Sequence, residues 1–133
     1  MTEIKSLRCE LITPDRQVLD AEATSVVFPA HDGQIGILKN RAPLLCKMGI
    51  GTCRISTEAG MQRYYVDGGF ARMLNNRLTL LTQEARSPEE IDRSAADKAL
   101  AEARARSAAD PDAQEARRLA IQRASSQLKL AGG

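Results

Sequence analysis

Hydrophobic and polar positions alternate in short runs over the first two-thirds of the chain, and then the period changes. In "LRCELIT", Leu7, Cys9 and Leu11 fall on one side of an extended strand and Arg8 and Glu10 on the other, and "PDR" makes the following turn. "EATSVVFPA", "GQIGIL", "PLLCKMG", "GTCRIST", "RYYVDG", "GFARML" and "RLTLLTQ" read as further strands. Between them "HDG", "KNRAP", "GIG", "EAG", "DGG" and "NN" supply residues that accept a positive φ or hold φ fixed. About eight or nine strands at this spacing predict an all-β sandwich or flattened barrel over residues 1–86.

From residue 87 to 133 the pattern is helical, rich in Ala, Arg and Glu. Ser87 is placed to cap a first helix, with Pro88 at its first position and Glu90 completing a capping box. Ile91, Ala95, Ala99, Leu100 and Ala103 form its narrow apolar stripe, with Glu89 to Arg93 and Glu102 to Arg106 as supporting pairs at i,i+4. "ADPD" stops that helix, and Asp110 caps a second whose stripe is Ala113, Ala116, Ala120, Ile121, Ala124 and Leu128. So short a link predicts an antiparallel hairpin. The predicted fold class is therefore mainly β plus α, an N-terminal sandwich followed by a C-terminal two-helix hairpin. A buried methyl contributes about 0.8 kcal/mol against about 1.5–3 for a whole Leu or Ile, so an alanine seam holds weakly; composition leaves two readings open, a hairpin able to leave its docking surface and a static one packed on one sandwich face.

Charge and composition then remove several function classes. Lys and Arg exceed Asp and Glu by only two and Trp is absent, which gives no electrostatic or stacking basis for nucleic-acid binding. No apolar run reaches the roughly 18–20 residues needed to span a bilayer, and the Met1 segment, with Glu3 and Lys5, lacks the apolar region of a secretory signal. Neither helix has the large apolar face of a surface-binding amphipath, so direct membrane insertion is not expected. Cys9, Cys46 and Cys53 sit in strand-like apolar runs and read as reduced, small hydrophobes. With one His and no Cys-x-x-Cys spacing, neither a metal site nor a cofactor is expected.

"FPAHDGQIGILKNRAPLL" sets His31 beside Asp32 and Gly33, but adjacent residues in a turn point apart, and Asp32 is explained as a turn former. Neither this stretch nor "VDGGFARM" has the spacing of a phosphate loop. No catalytic residues are assigned.

The same stretch resembles a family pattern in which an acidic Gly turn precedes Gly-x-Leu and His-Ala-Pro-Leu. "YVDGGFARMLNNRLTLLTQEA" likewise resembles that family's Gly-Gly strand pair ending in Thr-x-Leu-x-x-Glu-Ala. The family is the epsilon subunit of the bacterial and chloroplast rotary ATP synthase, called delta in mitochondria, and the resemblance runs from about Leu7 to Leu130. It implies a noncatalytic central-stalk subunit of a proton-translocating enzyme. The sandwich would bind gamma and meet the c-ring, and the hairpin would either fold down or extend toward alpha and beta to inhibit hydrolysis.

Carried over residue by residue, the stretch from His31 to Arg41 is the turn facing the ring, with His31, Asp32, Gln34 and Arg41 as candidate contacts. Gln34 stands where the family commonly has an acid, and Arg41 where it has histidine. Arg117, Arg118 and Arg123 are the candidates for an acidic segment of beta. The family's ATP motif, Ile/Leu-Asp-x-x-Arg-Ala, reads here as Ile91, Asp92, Ala95 and Ala96 with its arginine missing, so weak or absent ATP binding is expected and a micromolar dissociation constant would overturn that. The expected location is peripheral, through the complex, on the cytoplasmic face of a bacterial plasma membrane. Two other readings of the residues stand beside this one: an independent sandwich adaptor whose hairpin docks another protein, and a small enzyme using His31 or a cysteine such as Cys46.

Overall fold

A computed structural model of the protein describes residues 6–132; the Met1 segment inspected for a leader lies outside them, as does Gly133. Ten strands precede the helices: β1 (Leu7–Thr13), β2 (Arg16–Ala23), β3 (Ser25–Ala30), β4 (Gly33–Leu38), β5 (Leu44–Lys47), β6 (Ile50–Thr57), β7 (Gly60–Asp67), β8 (Phe70–Leu74), β9 (Arg77–Leu81) and β10 (Ala85–Arg86). They form two five-stranded sheets, ordered β2-β1-β9-β8-β5 and β10-β7-β6-β3-β4. Among the described residues only β1 and β9 pair in parallel. The period-2 pattern has its expected effect: Leu7, Cys9 and Leu11 of β1 face Val26, Phe28, Cys53, Ile55 and Val66 in one sealed core between the sheets.

The turn residues do the work their chemistry suggests. Asn75 and Asn76 both take positive φ, 52° and 59°, at the β8–β9 turn, which matches the hairpin to the strand twist. Asn76 also accepts the Asn40 backbone N–H at 2.5 Å, joining the two sheets at that end of the sandwich.

Two strands escaped the sequence reading. β2, "RQVLDAEA", is a largely polar edge strand, and β10 is two residues long. "EATSVVFPA" is also not one strand, because the chain breaks at Thr24, whose N–H and hydroxyl both donate to the Ser56 carbonyl, at 2.8 and 3.1 Å.

The entry to the helices also differs. Glu90 Oε1 accepts from the Ser87 N–H at 3.1 Å, so the capping residues find each other, but they close a single 3₁₀ turn over Pro88–Glu90. Ile91 then returns to extended backbone with ψ 124° because its side chain is buried against Tyr65 and Leu130. Asp92 caps the α-helix proper, α1 (Arg93–Arg104), accepting the Ala95 N–H at 3.0 Å. This break separates Glu89 from Arg93, and among the described residues neither predicted i,i+4 pair forms an ion pair.

Asp110 caps α2 (Pro111–Gly132) as expected, at 2.7 Å from the Ala113 N–H. Arg117 lies against Arg104 and Gly132 near Arg93, so the helices are antiparallel. Their seam is Ala96, Ala103 and Ala124. The predicted Ala95, Ala99 and Ala116 are exposed instead, since a helix with alanine on several faces does not specify which one packs.

Candidate functional site

Three surfaces carry the side chains of interest. The first is the outer face of the β2-β1-β9-β8-β5 sheet, which the helices leave open. Phe70 and Leu81 are direct cross-strand partners there, as are Leu45 and Arg72. Leu45 is therefore diagonal to both Phe70 and Leu74, and these four apolar side chains surround Arg72. Leu45 is 69% exposed and Phe70, Leu81 and Leu74 are 50%, 48% and 42% exposed, far above the sealed residues behind them. Ile12, Pro14 and Gly69 extend the patch into a shallow apolar groove beside Phe70 and Leu81. Sequence reasoning saw β8 as a strand and missed its meaning: "FARML" is apolar on both faces, whereas a strand with one wet face alternates.

The second surface is the other sheet, against which α2 docks. Gln122 Nε2 donates to the Ile50 carbonyl at 3.1 Å, and Arg123 pairs with Asp67 at 2.9 Å. Leu130 packs with Tyr65 and Ile91 in a small cluster separate from the main core. Tyr65 is fully buried, yet its hydroxyl makes no hydrogen bond; Gln127 comes close without meeting it at bonding geometry. Burial, followed by the charge of Asp67, pushes the Tyr65 hydroxyl up to about 12.

All three arginines assigned to beta are engaged within the chain. Arg117 Nη2 donates to the Arg104 carbonyl at 3.1 Å and so closes the end of α1. Arg118 is forked on Glu115, at 2.6 and 2.9 Å, and Arg123 holds Asp67. The sequence had marked the arginines; the i,i+3 spacing of Glu115 and the i,i+4 spacing of Gln122 from Arg118 were legible but not read, whereas Asp67, 56 residues before Arg123, had no signal in the linear pattern.

The third surface is the β3–β4 turn. His31 and Asp32 form its tip and Gln34 is the second residue of β4, while Arg41 follows the next turn, beyond Leu38. The whole of β4 separates them, so the structure does not bring Arg41 together with His31, Asp32 and Gln34. The six-residue strand "GQIGIL" reverses end as well as direction, which the single-turn reading overlooked. Arg41 instead lies near Cys46, and His31 faces α2 near Glu115.

The residues of the ATP motif have structural duties: Ile91 is buried with Tyr65, and Asp92 caps α1. Ala95 and Ala96 line an open cleft of about 430 Å³ between the helices and β10, where Arg86 already pairs with Glu84 and Arg123 with Asp67. Among the described residues no cluster of three His, Cys, Asp or Glu could hold a metal.

The thiols give a direct check on the packing. Cys9 and Cys53 are sealed, and burial pushes Cys9 up to about 12 and Cys53 further. Cys46 is only partly buried and is raised less, chiefly by desolvation. A thiol-reactive probe at pH 8 is expected to label Cys46 alone in the folded protein and all three thiols in denaturant. Rapid native labelling of two or three would contradict the core described above.

With this geometry in hand, comparison with known proteins is informative. The family model described as "ATP synthase, Delta/Epsilon chain, beta-sandwich domain" matches residues 6–88. The ATP synthase epsilon chain of Rhodopirellula baltica is 38% identical over 124 residues, 93% of this chain and 97% of that one. A chain of the Euglena gracilis mitochondrial ATP synthase, in its OSCP/F1/c-ring structure, superposes with a TM-score of 0.85 at 23% identity, covering 100% of this chain and 85% of that chain. One from the Tetrahymena thermophila central stalk/c-ring structure gives 0.74 at 12% identity, covering 98% and 99%. At these identities the two structural likenesses bear on the fold alone.

Proposed function

The chain belongs to the epsilon-chain family of ATP synthase, and from that premise we propose that it serves as a noncatalytic subunit of the enzyme's central stalk, coupling rotor parts and restraining ATP hydrolysis. The observation that carries this reading is the apolar ring of Leu45, Phe70, Leu74 and Leu81 around Arg72, on the sheet face the helices leave open. Such a face suits a permanent protein partner, and gamma is the partner assigned to it. The His31–Asp32–Gln34 turn is assigned to the c-ring, and Arg41, at the opposite end of β4, is not part of that contact. The assigned location is peripheral, on the cytoplasmic face of a bacterial plasma membrane. Among the described residues no helix is long and apolar enough to cross one.

The hairpin is assigned the brake. Its attachment rests on Leu130 and Ile91, at about 1.5–3 kcal/mol each, on the Gln122–Ile50 hydrogen bond at about 1 kcal/mol, and on an Arg123–Asp67 pair contributing about 1 kcal/mol or less. Against this stands the buried Tyr65 hydroxyl, whose missing hydrogen bond costs about 1–3 kcal/mol and is regained when the helices leave. A partner with a few kcal/mol of preference for the extended hairpin therefore suffices to move it. Undocking also frees Arg123, so folding down and contacting an acidic segment of beta compete for one side chain.

Two variants follow from this balance. Tyr65→Phe removes the unmet hydroxyl and is expected to slow amide exchange in residues 111–132 by roughly tenfold. Faster exchange would show that the hydroxyl is satisfied. Asp67→Asn releases Arg123 and is expected to strengthen inhibition by up to about fivefold, the weight of a partly exposed ion pair.

The test of the whole reading is titration of the full-length protein and of Asp67→Asn into an ATP synthase catalytic complex depleted of this subunit, following gamma binding and hydrolysis together. Binding with graded inhibition supports both roles. Binding without inhibition in either form removes the brake, and failure to bind gamma removes the proposed stalk role.

A further inference from the structure

Between α2 and the uncovered part of the second sheet runs an open groove of about 550 Å³. Its walls carry His31, Arg54, Arg63 and Lys129 and no Asp or Glu. The four come from separate elements: the β3–β4 turn, β6, β7 and α2. Since the chain as a whole carries a net charge of only +2, Arg54, Arg63 and Lys129 alone make this a local concentration of positive charge.

Arg54 and Arg63 stand directly opposite one another in the antiparallel β6–β7 pair. Cross-strand partners have their Cβ atoms roughly 5 Å apart, and like charges in that position destabilise a sheet. Both are half-buried, which deepens the repulsion. No carboxylate relieves it. Arg54 Nη2 donates to the neutral Gln34 Oε1 at 3.3 Å, and among the described residues neither Arg63 nor Lys129 has an ion pair or a side-chain hydrogen bond. Of the acids on neighbouring elements, Asp67 is committed to Arg123 and Glu115 to Arg118, while Asp32 stands beside His31 in the β3–β4 turn without lining the groove.

We infer that this groove is a binding site for a small phosphate-bearing polyanion, pyrophosphate or a longer phosphate chain, gripped by Arg54 and Arg63 from the sandwich and closed by Lys129 from the hairpin. Guanidinium forks match phosphate oxygens two at a time, and an ammonium supplies a point charge without fixed geometry. The anion converts the Arg54–Arg63 repulsion into a shared attraction. Because Lys129 rides on α2, only the docked hairpin presents the full set of charges, so the anion binds that form more tightly and holds the hairpin down. This inference rests on the groove itself and is independent of the stalk assignment.

The test uses the full-length protein and sodium pyrophosphate, with ionic strength held constant by chloride. Submillimolar pyrophosphate is expected to raise the melting temperature and to slow exchange in residues 111–132. Arg63→Ala is expected to melt no lower than the parent in chloride alone, since it removes the repulsion. The same variant loses pyrophosphate affinity by about tenfold or more, the weight of a hydrogen bond to a charged group. Lys129→Ala weakens binding and leaves the exchange of α2 unresponsive, while Arg106→Ala, in the other cleft, keeps the parental response. A pyrophosphate effect that Arg63→Ala retains, or that chloride reproduces at equal ionic strength, overturns the site. So does binding to phosphatidylglycerol vesicles without any response to soluble pyrophosphate, which would assign the charges to a membrane surface.

Discussion

Alanine at position 69 is expected to prevent the sandwich from closing. Gly69 has φ +101°, and a Cβ there would fall on the carbonyl oxygen of Leu81, 2.7 Å from that residue's carbonyl carbon and 2.9 Å from Thr82 Cα. All of these are backbone atoms of β9 and its exit, in the strand that pairs with both β1 and β8, so nothing flexible can yield. Left-handed strain and a backbone collision together place the cost at about 4 kcal/mol or more, a large part of a small domain's stability. Its neighbour provides the control. Gly68 has φ +66° but open space around the missing Cβ, so Gly68→Ala is expected to cost about 1–2 kcal/mol and Gly68→Asn less. Urea denaturation of the three variants measures the difference. A Gly69→Ala protein within 1 kcal/mol of the parent would contradict the close approach of the β7–β8 link to β9.

The second large effect is on assembly rather than folding. Replacing both Leu45 and Phe70 by glutamate is expected to weaken binding to gamma by about a hundredfold, because truncating central apolar anchors costs about 2 kcal/mol or more and two carboxylates, of which Arg72 can pair with only part, bring charge into an apolar face. Both side chains are already half or more exposed, and β5 is an edge strand, so the melting temperature should change little. The melting and binding measurements must be made on the same preparation. Parental affinity in a folded double variant would move the gamma contact to another face, and loss of affinity with loss of fold would show that this face is structural.

These two cases illustrate different degrees of legibility. "DGG" is visible in the sequence as a turn, and its position between "RYYVDG" and "GFARML" gives the strand order. That the second glycine touches Leu81, twelve residues later, is not visible, because the contact exists only once β8 and β9 have paired. The outer apolar ring was partly readable. Phe70 and Leu74 alternate with Ala71 and Met73, so β8 is apolar on both faces. Joining them to Leu45, twenty-five residues earlier, required the β5–β8 register.

The helices show where linear reading misleads. The Ser87 capping box is present in the structure, but burial of Ile91 against Tyr65 outweighs the local preference to continue into a helix, and Asp92 takes over as cap. An alanine-rich helix then gives little information on which face packs, so on α1 the predicted Ala103 is in the seam while Ala96 takes the place expected of Ala95.

The amino-acid sequence by itself determined the two-part architecture, the sandwich fold and the family. Alternation, turn chemistry and helix caps are local preferences that act wherever the residues stand. Tertiary structure alone decided that His31 and Arg41 lie at opposite ends of β4, that Arg123 is held by Asp67, and that Arg54 and Arg63 face one groove with Lys129. Each of these depends on strand register or on the docking of one element against another. The energies that set register and docking come from the whole packed core rather than from any run of neighbouring residues.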